Sequence, residues 1–390
     1  MQLQPEVVRI ETKKYKFNME TINFVDLKKQ YSVIESDVNE SLAAILKSGQ
    51  FILGPVVEKA EDALSQYTNA NHAITVSSGT DALFVSLLAL GIGPGSKVFI
   101  PAFTYTATAE VIALLGAEPV FVDVDEDTYN ISCDSLIEKI NHYQRSELSN
   151  SAIIAVDLFG LPADYNTIYD IAVNFGLHLI SDAAQSFGGS IENQKVGKLS
   201  PVTTTSFYPT KPLSCYGDGG AVFTDDDELA MKIKSIRSHG ITDNPYENIR
   251  IGTNARFDAM QAAVILSKLK IFDEELGKRE NTAQIYNQEL KGVVKTPTIT
   301  NQVKSAWAHY TIRTRDRDEL RKFLTENNIP TMIYYPKGMH EQTAYKKYHN
   351  GNPLIVSEKL CGEVLSLPLH PYMSEDQVYY VSEKVKEFIG

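Results

Sequence analysis

The stretch HAITVSSGTDALFVSLLALG, which runs from His72 to Gly91, joins a short apolar segment to a longer one. The first part is rich in β-branched residues and predicts a strand, and the part that begins at Gly79 predicts a helix. Short apolar strands that alternate with helices are typical of a mostly parallel sheet with both faces covered. This unit therefore predicts an α/β fold.

The same alternation continues along the chain to about residue 190, and two further strands follow. The predicted strands are 72–78, 96–102, 117–125, 152–160, 177–184, 202–209 and 220–226. The predicted helices are 79–91, 106–116, 133–143, 165–176 and 227–240. Residues 258–290 lack proline and contain one glycine, Gly277, so they predict one long helix or two in tandem.

The pattern changes after about residue 293, where strands and helices no longer alternate regularly. Residues 308–315 and 330–336 predict strands, and residues 316–329 and 374–390 predict helices. These elements predict a smaller C-terminal α+β domain. We expect a flexible N-terminal extension at 1–18, a large α/β domain at 19–275 and the small domain at 276–390.

The composition restricts the class of protein. The net charge is −12, whereas a nucleic-acid-binding protein usually has a basic surplus. The three cysteines contain no CxxC pair, which argues against a disulfide framework or a zinc site. No signal peptide or apolar segment of membrane-spanning length is evident. We therefore expect a cytoplasmic protein that binds neither membrane, nucleic acid nor metal.

Several chemically useful residues follow the predicted strands, at the sheet edge where open α/β folds bind ligands. Gly79 and Thr80 open a helix, so their backbone N–H groups suit a phosphate, although taken alone the motif favours an ordinary turn with Ser78 or Thr80 as helix cap. Asp182 ends a very apolar strand, where it either caps the next segment or pairs with a cationic ligand. Gln185 follows three residues later and is placed to contact the same ligand.

Lys211 lies in TTTSFYPTKPLSCYGDGG, Thr203–Gly220, between prolines and just before a glycine-rich turn. Lysines usually lie at the surface, and a surface turn is the alternative here. A lysine confined in this way loses solvent, which lowers the pKa of its amine and makes it a nucleophile toward carbonyls. The hydroxyl of Ser206, five residues earlier, is placed to bind a phosphate beside the same turn.

Taken together, these residues match the requirements of pyridoxal phosphate. A lysine forms its Schiff base, an aspartate keeps the ring nitrogen protonated, and an aromatic residue stacks on the ring. Tyr105, in FTYTATAE, is the candidate aromatic residue.

Six motifs carry a resemblance to a known family. They are SSGTDAL, FTYTATAE, EPVFVDVD, SDAAQSFG, SFYPTKPLSCYGDGGAVFTDD and GTNARFDAMQAAVILSKL. The chain resembles the DegT/DnrJ/EryC1/StrS nucleotide-sugar aminotransferases over about residues 20–385. The resemblance implies a fold-type-I transferase dependent on pyridoxal phosphate, with a seven-stranded sheet and pyridoxamine phosphate as its intermediate form. It also implies a homodimer with shared active sites.

The resemblance implies a role for each matching residue. Lys211 is the Schiff-base lysine and proton shuttle, and Asp182 is the partner of the ring nitrogen. The implied cofactor-binding residues are Gly79, Thr80, Tyr105, Asp182, Gln185, Ser206, Lys211 and Asn254. Asn254 is expected to reach the phosphate of the neighbouring subunit. Because some members with histidine at the Lys211 position dehydrate their substrate, the lysine here implies transamination, with L-glutamate as donor.

Within the family, the likeness is to the subgroup that aminates UDP-2-acetamido-2-deoxy-3-oxo-D-glucuronate for bacterial O-antigen in lipopolysaccharide biosynthesis. Arg256 is placed to hold a sugar carboxylate as a bidentate fork, or else pairs with Asp258. Tyr334 stands where relatives usually have histidine, so that position cannot become cationic. His340 matches a histidine of the family or is only a satisfied loop histidine. His239 is a further pocket candidate, although a last-turn cation also suits the helix dipole.

Other functions remain possible from the sequence. One is a dTDP-3-keto-6-deoxyhexose aminotransferase, with amination at C4 as a more distant possibility. Another is a non-catalytic sensor that binds pyridoxal phosphate, although no basic arm or helix-turn-helix is evident outside the core. A nicotinamide enzyme is disfavoured because no GxGxxG follows the strand at His72.

Overall fold

The structure is a computed structural model that describes Val8–Glu11, Lys16–Met19, 21–244 and 246–390. Its strands are β1 (Val8–Glu11), β2 (Lys16–Met19), β3 (His72–Val76), β4 (Lys97–Pro101), β5 (Glu118–Val122), β6 (Ala152–Val156), β7 (His178–Asp182), β8 (Ser190–Ile191), β9 (Gln194–Lys195), β10 (Val202–Ser206), β11 (Gly220–Thr224), β12 (Val303–Lys304), β13 (Tyr310–Arg313) and β14 (Val364–Leu367).

The α-helices cover both faces of the main sheet and build the C-terminal part. They are α1 (Leu27–Ser48), α2 (Pro55–Thr68), α3 (Gly79–Ala89), α4 (Ala107–Leu114), α5 (Cys133–Ile140), α6 (Tyr165–Phe175), α7 (Asp227–Arg237), α8 (Ala259–Leu269), α9 (Phe272–Glu289), α10 (Arg317–Glu326), α11 (Ile355–Glu363) and α12 (Glu375–Ile389). No helix in the described part of the chain is long and apolar enough to span a membrane.

The main sheet has seven strands in the order β3-β11-β10-β7-β6-β4-β5. Strand β11 runs antiparallel to both of its neighbours, and the other pairings are parallel. All seven strands coincide with the predicted ones, so the mostly parallel seven-stranded sheet is confirmed. Parallel strands whose carboxyl ends share one edge leave that edge for a ligand.

The strands are buried on both faces because successive side chains point to opposite sides. Along β11, Val222 packs into the apolar cluster with α3, α4 and α7, whereas Ala221 and Phe223 pack into the cluster with α1, α2 and α8. Helices α5 and α6 pack against β5, β6 and β7 in a further cluster. This double burial explains the continuous apolar runs in the sequence.

The C-terminal part is centred on the antiparallel pair β13–β14, with α9, α10 and α12 packed in one apolar cluster around it. The run 258–290 forms two helices, α8 and α9, in tandem. The predicted domain boundary at residue 275 falls inside α9, so the division stays a prediction. Within the predicted extension 1–18, β1 pairs with β2, and the rest of that segment lies outside the described residues.

The predicted strand at 330–336 is wrong. Its only ladder contact in the described structure is a single bridge from Met332 to Ser366 of β14. Pro330 and Pro336 bound the segment and lack the N–H groups that a ladder needs. Helix α11 and strand β14, which takes the place of the expected strand beside β13, were not predicted.

Candidate active site

A cavity of about 390 Å³ opens at the carboxyl ends of the central strands. It brings together eight residues singled out from the sequence: Gly79, Thr80, Tyr105, Asp182, Gln185, Ser206, Lys211 and Tyr334. These residues are far apart in the chain, and the parallel strand order collects them at one edge.

One wall of the pocket is the N-terminus of α3 against the end of β10. The first-turn N–H groups of Gly79 and Thr80 have no acceptor within their own helix, and Ser78 caps the helix by accepting the Asp81 N–H at 3.0 Å. A Cβ on Gly79 would lie 2.6 Å from Cβ of Ser206. Only glycine therefore lets the helix start approach Ser206 so closely, and the resulting N–H and hydroxyl donors suit an anion.

Asp182 lies at the base of the pocket and is buried. Its Oδ2 accepts from the hydroxyl of Thr108 at 3.0 Å and its Oδ1 accepts from the Ala184 N–H at 3.3 Å. Burial raises the pKa of Asp182, although these hydrogen bonds and the Lys211 amine oppose the shift. The carboxylate therefore favours a cationic N–H partner in the pocket.

Lys211 lies in a tight turn, where its backbone N–H donates to the Tyr208 carbonyl at 2.9 Å. Burial lowers the pKa of the Lys211 amine, and the Asp182 carboxylate opposes that shift. An amine with a lowered pKa is unprotonated more of the time and attacks carbonyl groups more readily.

Aromatic side chains and an amide form the remaining wall. Gln185 accepts the Phe159 N–H through Oε1 at 2.7 Å and donates through Nε2 to the Tyr335 hydroxyl at 3.3 Å. The His309 ring packs on Tyr334, with ring centroids 4.5 Å apart. Burial, with Lys211 nearby, lowers the pKa of His309 to about 3, so its imidazole is neutral near pH 7.

Sequence reasoning missed three residues here: Thr108, His309 and Tyr335. Thr108 lies within the quoted FTYTATAE motif, at the second residue of α4, and Tyr335 follows Tyr334 directly. Either neighbour was a usable signal. His309 comes from the C-terminal part, and no pattern in the sequence ties it to the strand ends.

Four predicted residues do not line this pocket. Arg256 Nε donates to Oδ1 of Asn254 at 3.0 Å, rather than pairing with Asp258. This pair flanks Ala255, whose carbonyl accepts the Ser77 N–H at 3.1 Å beside the start of α3. His239 is exposed.

His340 is buried away from the pocket, with Nε2 at 3.3 Å from Oε1 of Glu358. Its ring packs against His349 and Phe121. Its Nδ1 is buried and has no hydrogen-bond partner among the described residues, so this placement decides between neither of the two interpretations of the sequence.

The pocket fits pyridoxal phosphate on three structural observations. Its helix start and Ser206 suit the phosphate, its buried carboxylate suits a protonated ring nitrogen, and its lysine amine suits an aldehyde. All of the predicted cofactor-binding residues except Asn254 line this pocket within one chain.

Comparisons with known proteins agree with this geometry. The model of the DegT/DnrJ/EryC1/StrS aminotransferase family matches residues 32–386. The chain is 44% identical over 353 residues to UDP-2-acetamido-2-deoxy-3-oxo-D-glucuronate aminotransferase of Pseudomonas aeruginosa, covering 90% of this chain and 96% of that protein.

Two solved structures are also similar. A DegT DnrJ EryC1 StrS aminotransferase from Brucella abortus superposes with a TM-score of 0.92 at 47% identity, covering 95% of this chain and 100% of the other. NtdA from Bacillus subtilis with bound cofactor PMP superposes with a TM-score of 0.84 at 30% identity, covering 94% of this chain and 83% of the other.

These likenesses confirm the fold-type-I architecture that the motifs implied. The chain therefore belongs to the DegT/DnrJ/EryC1/StrS aminotransferase family and is an aminotransferase that depends on pyridoxal phosphate.

Proposed function

We propose that this enzyme moves an amino group from L-glutamate to the 3-keto carbon of a nucleotide-linked sugar. The proposed acceptor is UDP-2-acetamido-2-deoxy-3-oxo-D-glucuronate, in bacterial surface polysaccharide biosynthesis. The proposed reaction type is supported by one observation, which is that Lys211 and Asp182 line the same pocket. The choice of this sugar is supported by the similar Pseudomonas aeruginosa aminotransferase, whose name gives the same sugar.

Each residue of this pocket has a separate proposed role. When bound, pyridoxal phosphate supplies a carbonyl that condenses with amines and a ring that withdraws electrons. Gly79, Thr80 and Ser206 bind the phosphate, and Asp182 holds the ring nitrogen. Lys211 would hold the aldehyde end of the cofactor, and its amine would move the proton from the donor's α-carbon.

Substrate contacts fall on the outer wall of the pocket. Tyr334 lines it, and its ring is held by His309. Because the tyrosine hydroxyl and the neutral imidazole are both uncharged near pH 7, they offer hydrogen bonds but no cation to a sugar. We assign the carboxylate of a uronate to Arg256, whose fork suits it.

Arg256 and Asn254 do not line the pocket of their own chain, so we propose a homodimer in which each reaches the partner's pocket. The other proposed substrate contacts, His239 and His340, gain no support from their positions in one chain. A cytoplasmic location stays a prediction of the sequence.

The decisive experiment is the absorption spectrum of the purified enzyme with pyridoxal phosphate, with and without L-glutamate. Wild type should show a visible band that glutamate removes. Lys211→Ala should lose that band and all turnover yet keep its far-UV circular dichroism. Normal transamination by Lys211→Ala would show that the assignment of Lys211 is wrong.

The sugar is tested by turnover in the presence of glutamate. UDP-2-acetamido-2-deoxy-3-oxo-D-glucuronate should be aminated, with a dTDP-3-keto-6-deoxyhexose as the comparison substrate. Faster turnover of the dTDP sugar would overturn the proposed acceptor and leave the aminotransferase chemistry in place.

A further inference from the structure

Lys211 lines two cavities. Besides the cofactor pocket, it borders a second, much smaller space, in which the volume open to the centre of a water molecule is about 10 Å³. A cavity of that size holds about one water molecule. Its polar lining residues are Asp26, Gln30, Lys211, Ser214, Arg279, His370 and Tyr372.

Two of these residues carry a buried polar atom that has no hydrogen-bond partner among the described residues. They are Oε1 of Gln30 and Nε of Arg279. Both residues are more than nine-tenths buried, with 6% and 5% of their surface exposed. An unpaired buried acceptor or donor destabilises the fold, so such atoms are usually satisfied by water.

Each of the same two side chains has another nitrogen that is already hydrogen-bonded. Gln30 donates through Nε2 to the carboxylate of Glu275 at 3.0 and 3.1 Å. Arg279 donates through one terminal nitrogen to the Trp307 carbonyl at 3.1 Å. These bonds hold both side chains in place, so neither can easily turn to find another partner.

The lining of this cavity combines buried and partly exposed residues. Gln30, Ser214 and Arg279 are buried, whereas Val25, Lys211 and Tyr372 are half-buried. Part of the lining is therefore in contact with solvent.

We propose that this cavity binds a water molecule that donates to Gln30 Oε1, accepts from Arg279 Nε–H and exchanges protons with the Lys211 amine. This inference rests on the proposed transamination. When Lys211 takes a hydrogen from the α-carbon of the amino donor, the C–H electrons stay behind and Nζ becomes an ammonium. The ammonium passes one of its protons to the water and receives another from it, so the charge on Nζ is unchanged.

The expected consequence concerns the fate of the donor's α-hydrogen. If Lys211 were sealed from solvent, that hydrogen would be carried largely intact to the product. If the water contacts Lys211, the amine exchanges this hydrogen with the water before it delivers a proton to the product. Most of the α-hydrogen is then released to solvent.

The first test is a high-resolution crystal structure of the wild-type protein without added substrate. We expect density for one water molecule within hydrogen-bond distance of Gln30 Oε1 and Arg279 Nε. A dry cavity would overturn the proposal. This measurement does not depend on turnover, so it stands even if the proposed function fails.

The second test follows the label from α-deuterated glutamate in ordinary water. Pyridoxamine phosphate is released by denaturation after a single half-reaction, and its deuterium content is measured by mass spectrometry. Gln30→Leu removes the acceptor and fills the space with an apolar side chain, so we expect it to retain several-fold more deuterium than wild type.

The matched control is Asn39→Leu, an amide-to-leucine change at an exposed position of the same helix, α1. It should retain as little label as wild type. Equal label loss in Gln30→Leu and wild type would overturn the water route. Failure of wild type to react with glutamate at all would instead contradict the proposed function.

Discussion

At the scale of single residues, the chemistry depends on two ionisable groups that share one pocket. Burial shifts the pKa of Asp182 upward and that of Lys211 downward, so both are pushed toward their neutral forms. A cationic ring nitrogen beside Asp182 would restore the carboxylate, while Lys211 stays available as a nucleophile. Burial in one pocket therefore favours a cationic partner for Asp182 and an unprotonated amine on Lys211.

Replacement of Asp182 tests this division of roles. Asp182→Asn keeps the shape and the hydrogen bond to Thr108 but removes the negative charge. We expect kcat to fall by about 10²-fold or more, since the charge stabilises the transition state in a dry site. Steady-state kinetics check this, with exposed Asp170→Asn on α6 as the control. A kcat within twofold of wild type would contradict the assignment.

A buried histidine predicts how stability depends on pH. Burial, with Arg279 nearby, lowers the pKa of His370 to about 4 from its ordinary 6.5. The unfolded chain therefore binds a proton between pH 6.5 and 4 that the folded chain does not, so stability falls as the pH drops through that window. At pH 5, this difference in proton binding lowers the free energy of unfolding by about 1–2 kcal/mol.

His370→Gln should remove this part of the pH dependence. Urea unfolding of the apoprotein at pH 7 and pH 5 measures it, because the variant's loss of stability between the two values should be smaller than that of wild type. An equal loss in both proteins would show that His370 does not titrate as described.

At the scale of elements, the anion site depends on how closely α3 approaches the end of β10. The turn Ser77–Gly79 carries the chain from β3 into the helix, and Ser78 caps it. Ser206 is the last residue of β10, two strands away in the sheet. The site is therefore a contact between elements and not a property of either one.

A pair of glycine substitutions tests the contact. In Gly79→Ala, the new Cβ would meet Cβ of Ser206 at 2.6 Å, so the helix start must move. We expect affinity for pyridoxal phosphate to fall by about tenfold or more, which corresponds to about 1.4 kcal/mol. Fluorescence titration of the apoprotein measures it.

Gly277→Ala is the matched control because nothing lies within 4 Å of its Cβ position in the interior of α9. It should leave cofactor affinity unchanged and stabilise the fold by about 0.5–1 kcal/mol. Unchanged affinity in Gly79→Ala would contradict the proposed phosphate site.

At the scale of the whole molecule, the distribution of site residues supports the proposed shared active site. Eight of the predicted residues line one pocket, whereas Asn254 and Arg256 lie beside the start of α3 without lining it. A second copy of the chain that presents its Asn254 to this pocket would complete the set.

Mixed dimers test this arrangement. Lys211→Ala and Asn254→Ala should each be nearly inactive alone, but a hybrid dimer would carry both lesions in one site and none in the other. Random assembly of equal amounts should restore about a quarter of wild-type activity. Co-expression with two affinity tags allows the hybrid to be purified and assayed. Absence of recovery in a purified hybrid would place Asn254 in its own chain's site.

Much of this molecule follows from local sequence pattern. The largely apolar stretches at 73–76 and 179–180 predict buried strands wherever they lie, because burial on two faces favours apolar side chains at successive positions. Lys211 and Asp182 were identified for a similar reason, since burying a charged residue beside such stretches costs free energy unless a partner or ligand compensates it. The sequence alone therefore determined the strands of the main sheet, the α/β class and the choice of Lys211 and Asp182 as candidates.

The tertiary structure alone decided the features that depend on distant partners. Strand β14 exists because Val364–Leu367 meets β13, while the apolar segment between Pro330 and Pro336 makes one bridge and no strand in the described structure. Thr108 bonds Asp182, and His309 packs on Tyr334, across long separations in the chain. Local pattern measures how well a segment suits burial, but pairing is set by which other segment lies beside it.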